Sequence, residues 1–398
     1  MATLKGSPYI TPGYNDDRAP AAGGSFPIRA LKRALVTLGV VLGLPYACAP
    51  VYRFPQPAPF SGMRLFNPYQ HASGRWQRAN LHAHGRVWLG LTSGRQSNEE
   101  VVERYKSLGY SVAGVSNYHQ IAAHDGVTTI PAYEHGYNIG KHHQLAIGAR
   151  RVDFVDFPVW QSRSHLQFII NRVAATADLV AIVHPESRNA YDDADLQELT
   201  GYHLIEVFNG KFPHDAAWDA ALSSGRAVWG IGNDDNHDLE DRERLGAAWT
   251  MINAPSVDTP DIVAALKSGR SYAVVRTNQA AADTFFKSAT VSDWTLTVAT
   301  SGEPSTFDFI GQNGVVRKTV PDALTASYVF EPSDTYIRTA IRAPRTTIYL
   351  NPVLRYDGTL PAPAATVDTI KTTLLRGAFA VAVIGGFMLY RRKRNLQR

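Results

Sequence analysis

The chain has 398 residues, of which 44% are hydrophobic and 19% charged, a balance typical of a folded protein rather than a disordered one. Its net charge of +5 comes from the two ends: residues 1–33 carry five Lys or Arg against two Asp, and residues 391–398 carry five with no acid. The stretch between them is therefore net acidic, so a basic surface for nucleic acid is not expected.

The first apolar run, 34–52, directly follows Lys32 and Arg33. Its length and the basic residues before it predict a transmembrane helix with a cytoplasmic tail at 1–33. A cleavable signal peptide is the alternative, since Ala47-Cys48-Ala49 has the small residues of a cleavage site. Cys48 is the only cysteine, so no disulfide or cysteine zinc site can form within the chain.

Residues 53–75 are rich in Pro and Gly and are interpreted as a linker. In the next stretch, 76–275, short apolar runs alternate with amphipathic ones, which predicts parallel βαβ units closing into a distorted (β/α)7 barrel. The predicted strands are Ala79-His84, Ser111-Ser116, Thr128-Tyr133, Gln144-Ala149, Leu179-His184, His203-Phe208, Ala227-Gly232 and Ala247-Ile252. The predicted helices are Asn98-Leu108, Ser164-Ala177, Asp192-Leu199, His214-Ser224 and Pro260-Ser268.

Beyond Ser271 the pattern changes to alternating polar and apolar residues, and Asn313-Gly314 is a strong hairpin signal. We expect a small antiparallel β domain over 280–357 and a linker over 358–371. The apolar run 372–390 predicts a second transmembrane helix, and the basic tail 391–398 places its end in the cytoplasm. The folded middle of the chain would then lie outside the cytoplasm, anchored in the cell membrane.

Six of seven candidate residues fall at the C-terminal end of a predicted strand or just past it, where the loops of a parallel barrel converge, and the seventh, His143, precedes a strand. Two His residues two apart on an extended chain face the same side, as in His82 and His84, and Asp235 and His237 repeat this spacing. The full set is His82, His84, Glu134, His143, His184, Asp235 and His237. These residue types at this rim predict one metal-binding cluster.

Over 76–275 these motifs resemble the PHP (polymerase and histidinol phosphatase) superfamily of metal-dependent phosphoesterases. Members of that superfamily can also carry a small β domain after the barrel, with a motif like Tyr349-Leu350-Asn351-Pro352 of this chain. The resemblance implies a first ion held by His82, His84, Glu134 and Asp235. It implies a second ion held by Glu134, His143 and His184.

The sequence departs from the superfamily pattern at two positions that would supply ligands for a third metal ion. Thr92-Ser93-Gly94-Arg95 offers no ligand where the superfamily usually has an acidic one. In Ser116-Asn117-Tyr118-His119, a tyrosine takes the usual histidine position. We therefore expect two divalent ions (Zn, Mn or Fe) rather than three, with His119 as a displaced ligand. His237 then either binds a third ion or acts as general acid for the leaving oxygen.

The implied reaction is hydrolysis of a phosphate ester by water activated between two ions, on a phosphorylated small molecule or polymer end. Lys141, Arg188 and Lys211 are candidates to bind the phosphate, and Asn209 to contact substrate. Two alternatives remain open at this point. One is a degenerate barrel that binds a glycan or protein partner, and the other is a hydrolase of a carbon ester or amide.

Overall fold

The computed structural model describes residues 25–92, 94–122, 130–277 and 284–396. Most of the predicted tail 1–33, the start of the predicted strand Thr128-Tyr133, and Ser93 lie outside these residues. The chain divides into two compact units, Met1–Leu44 and Pro45–Arg398. Two helices are long and apolar enough to cross a membrane, within Ala30–Cys48 and Thr369–Arg392.

The helices follow the amphipathic stretches of the sequence closely, and each of the five predicted ones is present. Three of them begin at a capping box, in which the side chains of the first and fourth residues bond each other's backbone N–H. The helices are α1 (Ser25–Cys48), α2 (Asn98–Ser107), α3 (Arg163–Ala174), α4 (Asp193–Glu198), α5 (Asp215–Ser223), α6 (Thr259–Lys267) and α7 (Thr369–Leu396).

The strands are short in the first half of the chain and longer in the second. They are β1 (Tyr52–Arg53), β2 (Arg64–Phe66), β3 (Arg75–Asn80), β4 (Val112–Ala113), β5 (Ala132–His135), β6 (Gln144–Ile147), β7 (Leu179–Ile182), β8 (Leu204–Asn209), β9 (Phe212–Pro213), β10 (Trp229–Asn233), β11 (Ala248–Ala254), β12 (Ser271–Arg276), β13 (Phe285–Ser292), β14 (Thr295–Ser301), β15 (Ser305–Ile310), β16 (Val316–Ala323), β17 (Thr325–Val329), β18 (Tyr336–Arg342), β19 (Thr346–Tyr356) and β20 (Thr366–Val367).

Two large sheets surround the centre of the second unit. One has the order β10-β8-β7-β6-β5, with β9 beside β8, and the other has the order β16-β15-β18-β19-β12-β11-β3-β4, with β2 beside β19. Helix α3 packs on β6 and β7, α5 on β8, and α6 on β11. The apolar faces of these elements form a continuous buried core. Smaller sheets pair β13-β14-β17 and β1-β20.

The predicted barrel does not close among the described residues, which corrects the expectation of a (β/α)7 barrel. Among the described residues, β pairing between the two large sheets at the edges β3/β10 and β4/β5 is limited to isolated bridges, Ala83 to Asn236 and Tyr118 to Glu134. The backbone of Asp235 has a φ of +48°. A residue in this left-handed region cannot continue a β ladder, so β10 ends at Asn233.

Not all the strands of the six-stranded sheet are parallel, which also differs from the prediction. Strand β6 is antiparallel to both β5 and β7. The reason is the short connection 136–143 between β5 and β6, which has no helix and is too short for a crossover. The hairpin at Asn313-Gly314 is confirmed, since β15 and β16 pair antiparallel on either side of it.

The predicted β domain is not separate from the rest of the second unit. Strand β19 pairs with β12, which places both in one nine-stranded sheet. Asn351 joins this sheet to its neighbour, because its side-chain oxygen accepts a hydrogen bond from Gly230 N–H at 2.7 Å. The buried guanidinium of Arg338 donates to Asp219 on α5 at 2.8 Å. These contacts join the β-rich half of the unit firmly to β10 and α5.

The two predicted linkers are also part of the folded body. In 53–75, β2 pairs with β19 and Phe60 is buried. In 358–371, β20 pairs with β1, and α7 begins at Thr369. Pro-rich composition indicates irregular backbone here, but the apolar residues within it still pack against the core.

The pH dependence of stability should include a contribution from His165. Burial lowers its pKa from 6.5 to about 4, and its neutral Nδ1 accepts a hydrogen bond from Ser162 N–H at 3.2 Å. Between these pKa values the unfolded chain binds a proton that the folded chain does not, so stability falls as the pH falls through this window. Replacing His165 by Gln should reduce the slope of the thermal midpoint between about pH 7 and about pH 5, followed by circular dichroism. An unchanged slope would contradict this assignment.

Candidate metal centre

The seven predicted residues are brought together at one place. His82 and His84 follow β3, His184 follows β7, and Asp235 and His237 follow β10. The other two, Glu134 and His143, stand on either side of the loop between β5 and β6. All except His237 are buried. Their nitrogen and oxygen atoms form four overlapping groups that could each hold a metal ion.

The first group is centred on one oxygen from each of two carboxylates. Oε2 of Glu134 lies 3.4 Å from Nε2 of His82 and 3.1 Å from Nε2 of His84. Oδ1 of Asp235 lies 3.3 Å and 3.2 Å from the same two nitrogens. Two imidazoles and two carboxylates around one point are a ligand set that suits zinc, iron or manganese.

The second group uses the other oxygen of the same glutamate. Oε1 of Glu134 lies 2.6 Å from Nδ1 of His143 and 3.2 Å from Nε2 of His184. Glu134 therefore turns one oxygen toward each pair of histidines. A carboxylate in this position can bridge two ions, as the sequence predicted.

Unsatisfied polar atoms test whether metal ions fit this centre. Six buried atoms of the seven residues have no hydrogen-bond partner among the described residues, and four of them face one another: His82 Nε2, His84 Nε2, Glu134 Oε2 and Asp235 Oδ1. They belong to the same first group. Burying polar atoms without partners is costly, and a bound cation would satisfy all four at once. The donor set and its burial fit divalent metal ions.

The electrostatics of the centre also favour cations. Burial opposes the charged form of Glu134, but His143 and His82 hold its pKa well below the usual value. Burial likewise lowers the pKa of His82, yet Asp235, Glu206 and Glu134 together raise it well above the usual value. Buried carboxylates thus remain ionised and attract positive charge, which is carried by imidazolium here and by metal ions when they bind.

Backbone strain accompanies two of the ligands. His184 has a φ of +33° and Asp235 a φ of +48°, values that residues with a Cβ rarely adopt. Each is the second residue after the end of a strand, and each turns the chain so that its side chain faces the centre. Strain of this kind persists only where surrounding contacts impose it, and it concentrates at functional sites.

Glu206 on β8 supports the ligands from behind, a role that was not predicted from the sequence. Its Oε1 lies 3.0 Å from Nδ1 of His82, which leaves Nε2 of that ring free to face the centre. Its Oε2 accepts hydrogen bonds from His184 N–H and from Asn209 Nδ2. A carboxylate behind a ligating histidine fixes the tautomer and the ring orientation. The sequence feature that could have identified Glu206 is its charge within an otherwise apolar strand.

His237 lies at the edge of the centre. Its ring stacks on that of His84 with centroids 4.2 Å apart, and its Nδ1 lies 2.9 Å from the carbonyl oxygen of Asp235. Because a carbonyl only accepts, Nδ1 carries the proton and Nε2 keeps a lone pair. Burial, followed by His84, lowers the pKa of His237 to about 4. This neutral ring suits a ligand or proton acceptor better than a general acid.

His119, the expected displaced ligand, lies outside the centre. Both ring nitrogens are occupied by backbone groups: Nδ1 lies 3.0 Å from the carbonyl oxygen of Asp153, and Nε2 accepts from Gly136 N–H. Tyr118 takes its place, with its ring stacked 4.7 Å from that of His84. Burial, then Glu134 and Asp235, raise the pKa of Tyr118, so its hydroxyl stays protonated.

A cavity of about 560 Å³ opens over the centre. Of the four predicted substrate-binding residues, Lys141, Arg188 and Asn209 line it. Lys211 does not line it; its ammonium group contacts Glu243 beside a different pocket. The remaining lining residues are Tyr118, His184, Glu186, Ser187, Phe212, Pro213, His214, Asp235, His237 and Arg244.

Arg244 is a second residue that the sequence analysis missed. Its Nε donates to the carbonyl oxygens of Asp234 and Asp235 at 2.7 Å and 2.9 Å. Its Nη2 donates to Asn209 Oδ1 and Asp235 Oδ2. Arg244 therefore holds the strained turn at Asp235 while keeping part of its guanidinium in the cavity. It lies in a polar loop, and nothing in its local sequence distinguishes it.

Comparisons with known proteins give a distant likeness among solved structures. No protein-family model matches the chain, and no curated protein matches it. Among solved structures, it is similar to a two-domain protein from Bacteroides vulgatus that contains a predicted PHP-like metal-dependent phosphoesterase. The TM-score is 0.40 and the identity 13%, over 74% of this chain and 99% of that one. A likeness at this TM-score does not carry a functional assignment.

Replacing Glu206 by Gln should weaken metal binding without removing a ligand. The amide cannot hold the Nδ1–H of His82 as strongly, so the affinity for Zn²⁺ or Mn²⁺ should fall about 10- to 100-fold in calorimetric titration. Glu186→Gln is the matched control, because it removes a carboxylate from the cavity wall at a position outside the four metal groups. Equal losses in the two variants would show that general charge, rather than support of His82, sets the affinity.

Proposed function

We propose that the protein is a metal-dependent hydrolase, and more narrowly a phosphoesterase. The observation that carries this proposal is the two-sided arrangement at Glu134, with a pair of histidines on each of its oxygens. His82, His84, Glu134 and Asp235 would hold one ion, and Glu134, His143 and His184 the other. Divalent ions held there supply an activated water and neutralise the charge on the phosphate oxygens.

Phosphate rather than a neutral ester is favoured by the cations on the cavity wall. Lys141, Arg188 and Arg244 line the cavity that opens over the centre. Amino and guanidinium groups bind phosphate oxygens strongly, and three of them suit a doubly charged phosphate monoester. A neutral carbon ester or amide would not make use of this positive charge.

Two residues could handle protons in this reaction. The hydroxyl of Tyr118 stays protonated and can donate a hydrogen bond to a substrate oxygen. His237, neutral with a lone pair on Nε2, can take a proton from water or contribute to a third ion with His84 and Asp235. A general-acid role for His237 would need binding of substrate or ions to raise its pKa from about 4.

We further propose that α7 anchors the protein in a membrane, with the cavity on the extracytoplasmic side. Large apolar side chains are exposed along this helix, among them Leu374, Val381 and Phe387. Exposing them to water would be unfavourable, by about 25 cal/mol for each Å² of apolar surface. The basic residues from Arg391 onward favour a cytoplasmic end for this helix.

Hydrolysis of a soluble aryl phosphate by the detergent-solubilised full chain tests the proposed activity. We expect turnover with added Mn²⁺ or Zn²⁺, and no activity above background in His82→Ala/His84→Ala. Lys141→Ala should raise KM about tenfold or more through loss of a charge-assisted contact to phosphate. The matched control is Lys211→Ala, which removes the same charge outside the cavity and should leave KM unchanged.

Two results would contradict the proposal. One is turnover that persists in His82→Ala/His84→Ala, because the reaction would then not need the first ion. The other is an equal rise in KM in Lys141→Ala and Lys211→Ala, because phosphate would then not be bound in this cavity.

A further inference from the structure

An exposed apolar surface lies beside the cavity. It consists of Tyr137 and Ile139 on the loop 136–143 and of Phe154, Val159 and Trp160 on the segment that packs against it. Ile139 is 72% exposed and Trp160 60%. The two segments are held together, because Ile139 N–H donates to the Pro158 carbonyl at 3.0 Å and Tyr137 Oη to the Phe154 carbonyl. Apolar residues clustered in this way mark an interaction site.

This apolar surface continues to the base of α7. The ring of Tyr46 stacks on that of Trp160 with centroids 4.2 Å apart, and its hydroxyl oxygen accepts a hydrogen bond from Val159 N–H at 3.0 Å. Two residues further along, the carbonyl of Cys48 accepts a hydrogen bond from Arg376, in the second turn of α7. The surface therefore adjoins the point where the long apolar helix begins.

That position indicates what covers the surface. Trp and Tyr are enriched where membrane proteins meet the lipid headgroups, since one end of each side chain is apolar and the other polar. Lys371 and Arg376 lie in the first two turns of α7, as expected for basic residues near lipid phosphates. A bilayer that holds α7 would meet the apolar surface at its interface.

The same loop ties this surface to the metal centre. Glu134 lies just before the loop 136–143, and His143 is its last residue. Lys141 lines the cavity and is two residues from Ile139, so their Cα atoms are at most about 7 Å apart. If Ile139 lies among the lipids, the cavity mouth lies at the level of the headgroups.

A second exposed apolar segment also lies next to the cavity. Leu89 and Leu91 are almost fully exposed, and the indole of Trp88 donates to the Tyr118 carbonyl at 2.8 Å. Tyr118 lines the cavity. Exposed apolar side chains thus adjoin the cavity from two separate loops.

We propose that these side chains sit in the membrane interface and present the cavity to phosphate monoesters carried by membrane lipids. This inference rests on the proposed phosphoesterase function and names its substrate class. In the reaction the water oxygen bonds to phosphorus and the bond from phosphorus to the lipid oxygen breaks. The leaving oxygen receives a proton from water, which gives inorganic phosphate and a lipid alcohol without any redox change.

The first test uses the full chain in phosphatidylcholine vesicles that contain phosphatidic acid. Ile139→Ser/Val159→Ser should reduce release of phosphate from phosphatidic acid at least about fivefold, since less apolar surface enters the bilayer. Hydrolysis of a soluble aryl phosphate should not change. The matched control is Val316→Ser/Val329→Ser, two exposed valines of β16 and β17 that should alter neither reaction.

The second test measures depth in the bilayer without relying on activity. In a Cys48→Ser background, a fluorophore attached through Ile139→Cys should be quenched by nitroxide-labelled lipid, whereas one attached through Val316→Cys should not. An unquenched label at position 139 would overturn the inference, because a protein partner or water would then cover the surface.

The two proposals fail in different ways. Turnover of aryl phosphate with none of phosphatidic acid would overturn the inference about lipids and leave the phosphoesterase function standing. Absence of both activities, with metal bound, would overturn both. A parallel loss of both activities in Ile139→Ser/Val159→Ser would show that the loop positions ligands and has no role in lipid recognition.

Discussion

The ionised carboxylate of Glu134, fully buried between two pairs of histidines, is the constraint on which the rest of the site depends. One oxygen faces His82 and His84 and the other faces His143 and His184. An isolated charge in this position would be strongly unfavourable, so each of its oxygens needs a cationic partner. The four histidines come from three different parts of the chain, and they meet because they share this carboxylate.

The fold holds these partners in place with groups that are not themselves predicted metal ligands. Glu206 fixes the ring of His82, and through Asn209 it is connected to Arg244, which holds the turn at Asp235. Ligands on strand ends are held more firmly than ligands on free loops. The nine-stranded sheet adds to this rigidity, since β19 ties the β-rich half to β12. By contrast, Tyr137 and Ile139, on the loop between Glu134 and His143, expose apolar side chains close to the buried centre.

Much of this site could be predicted from the sequence, because its ligands occupy strand ends and strand ends follow from local patterns. The spacing in His82-Ala83-His84 and in Asp235-Asn236-His237 carried the prediction, and all seven residues meet in the structure. The sequence alone does not show which segments, distant along the chain, contact each other in the fold. Glu206 contacts His82, 124 residues earlier, and Arg244 contacts Asn209, 35 residues earlier. Lys211 lies against Glu243, 32 residues later, and not in the cavity.

The errors in the predicted fold have a similar cause. The alternation of apolar and amphipathic runs predicts strands and helices, but it does not show whether neighbouring strands pair parallel or antiparallel. Strand β6 is antiparallel because its connection to β5 is short, and the barrel stays open where positive φ at Asp235 ends a ladder. Tyr118, and not His119, faces the centre, since the tyrosine ring stacks on His84 and both ring nitrogens of His119 bond backbone groups.

The central claim is that one buried carboxylate organises two metal ions, and the number of ions bound per chain tests it most directly. We expect about two divalent ions per full-length chain by plasma mass spectrometry after loading and gel filtration, and the loss of both in Glu134→Gln. Glu186→Gln should retain both ions. A single ion that survives Glu134→Gln would contradict the account, because the two pairs of histidines would then bind metal independently of the carboxylate between them.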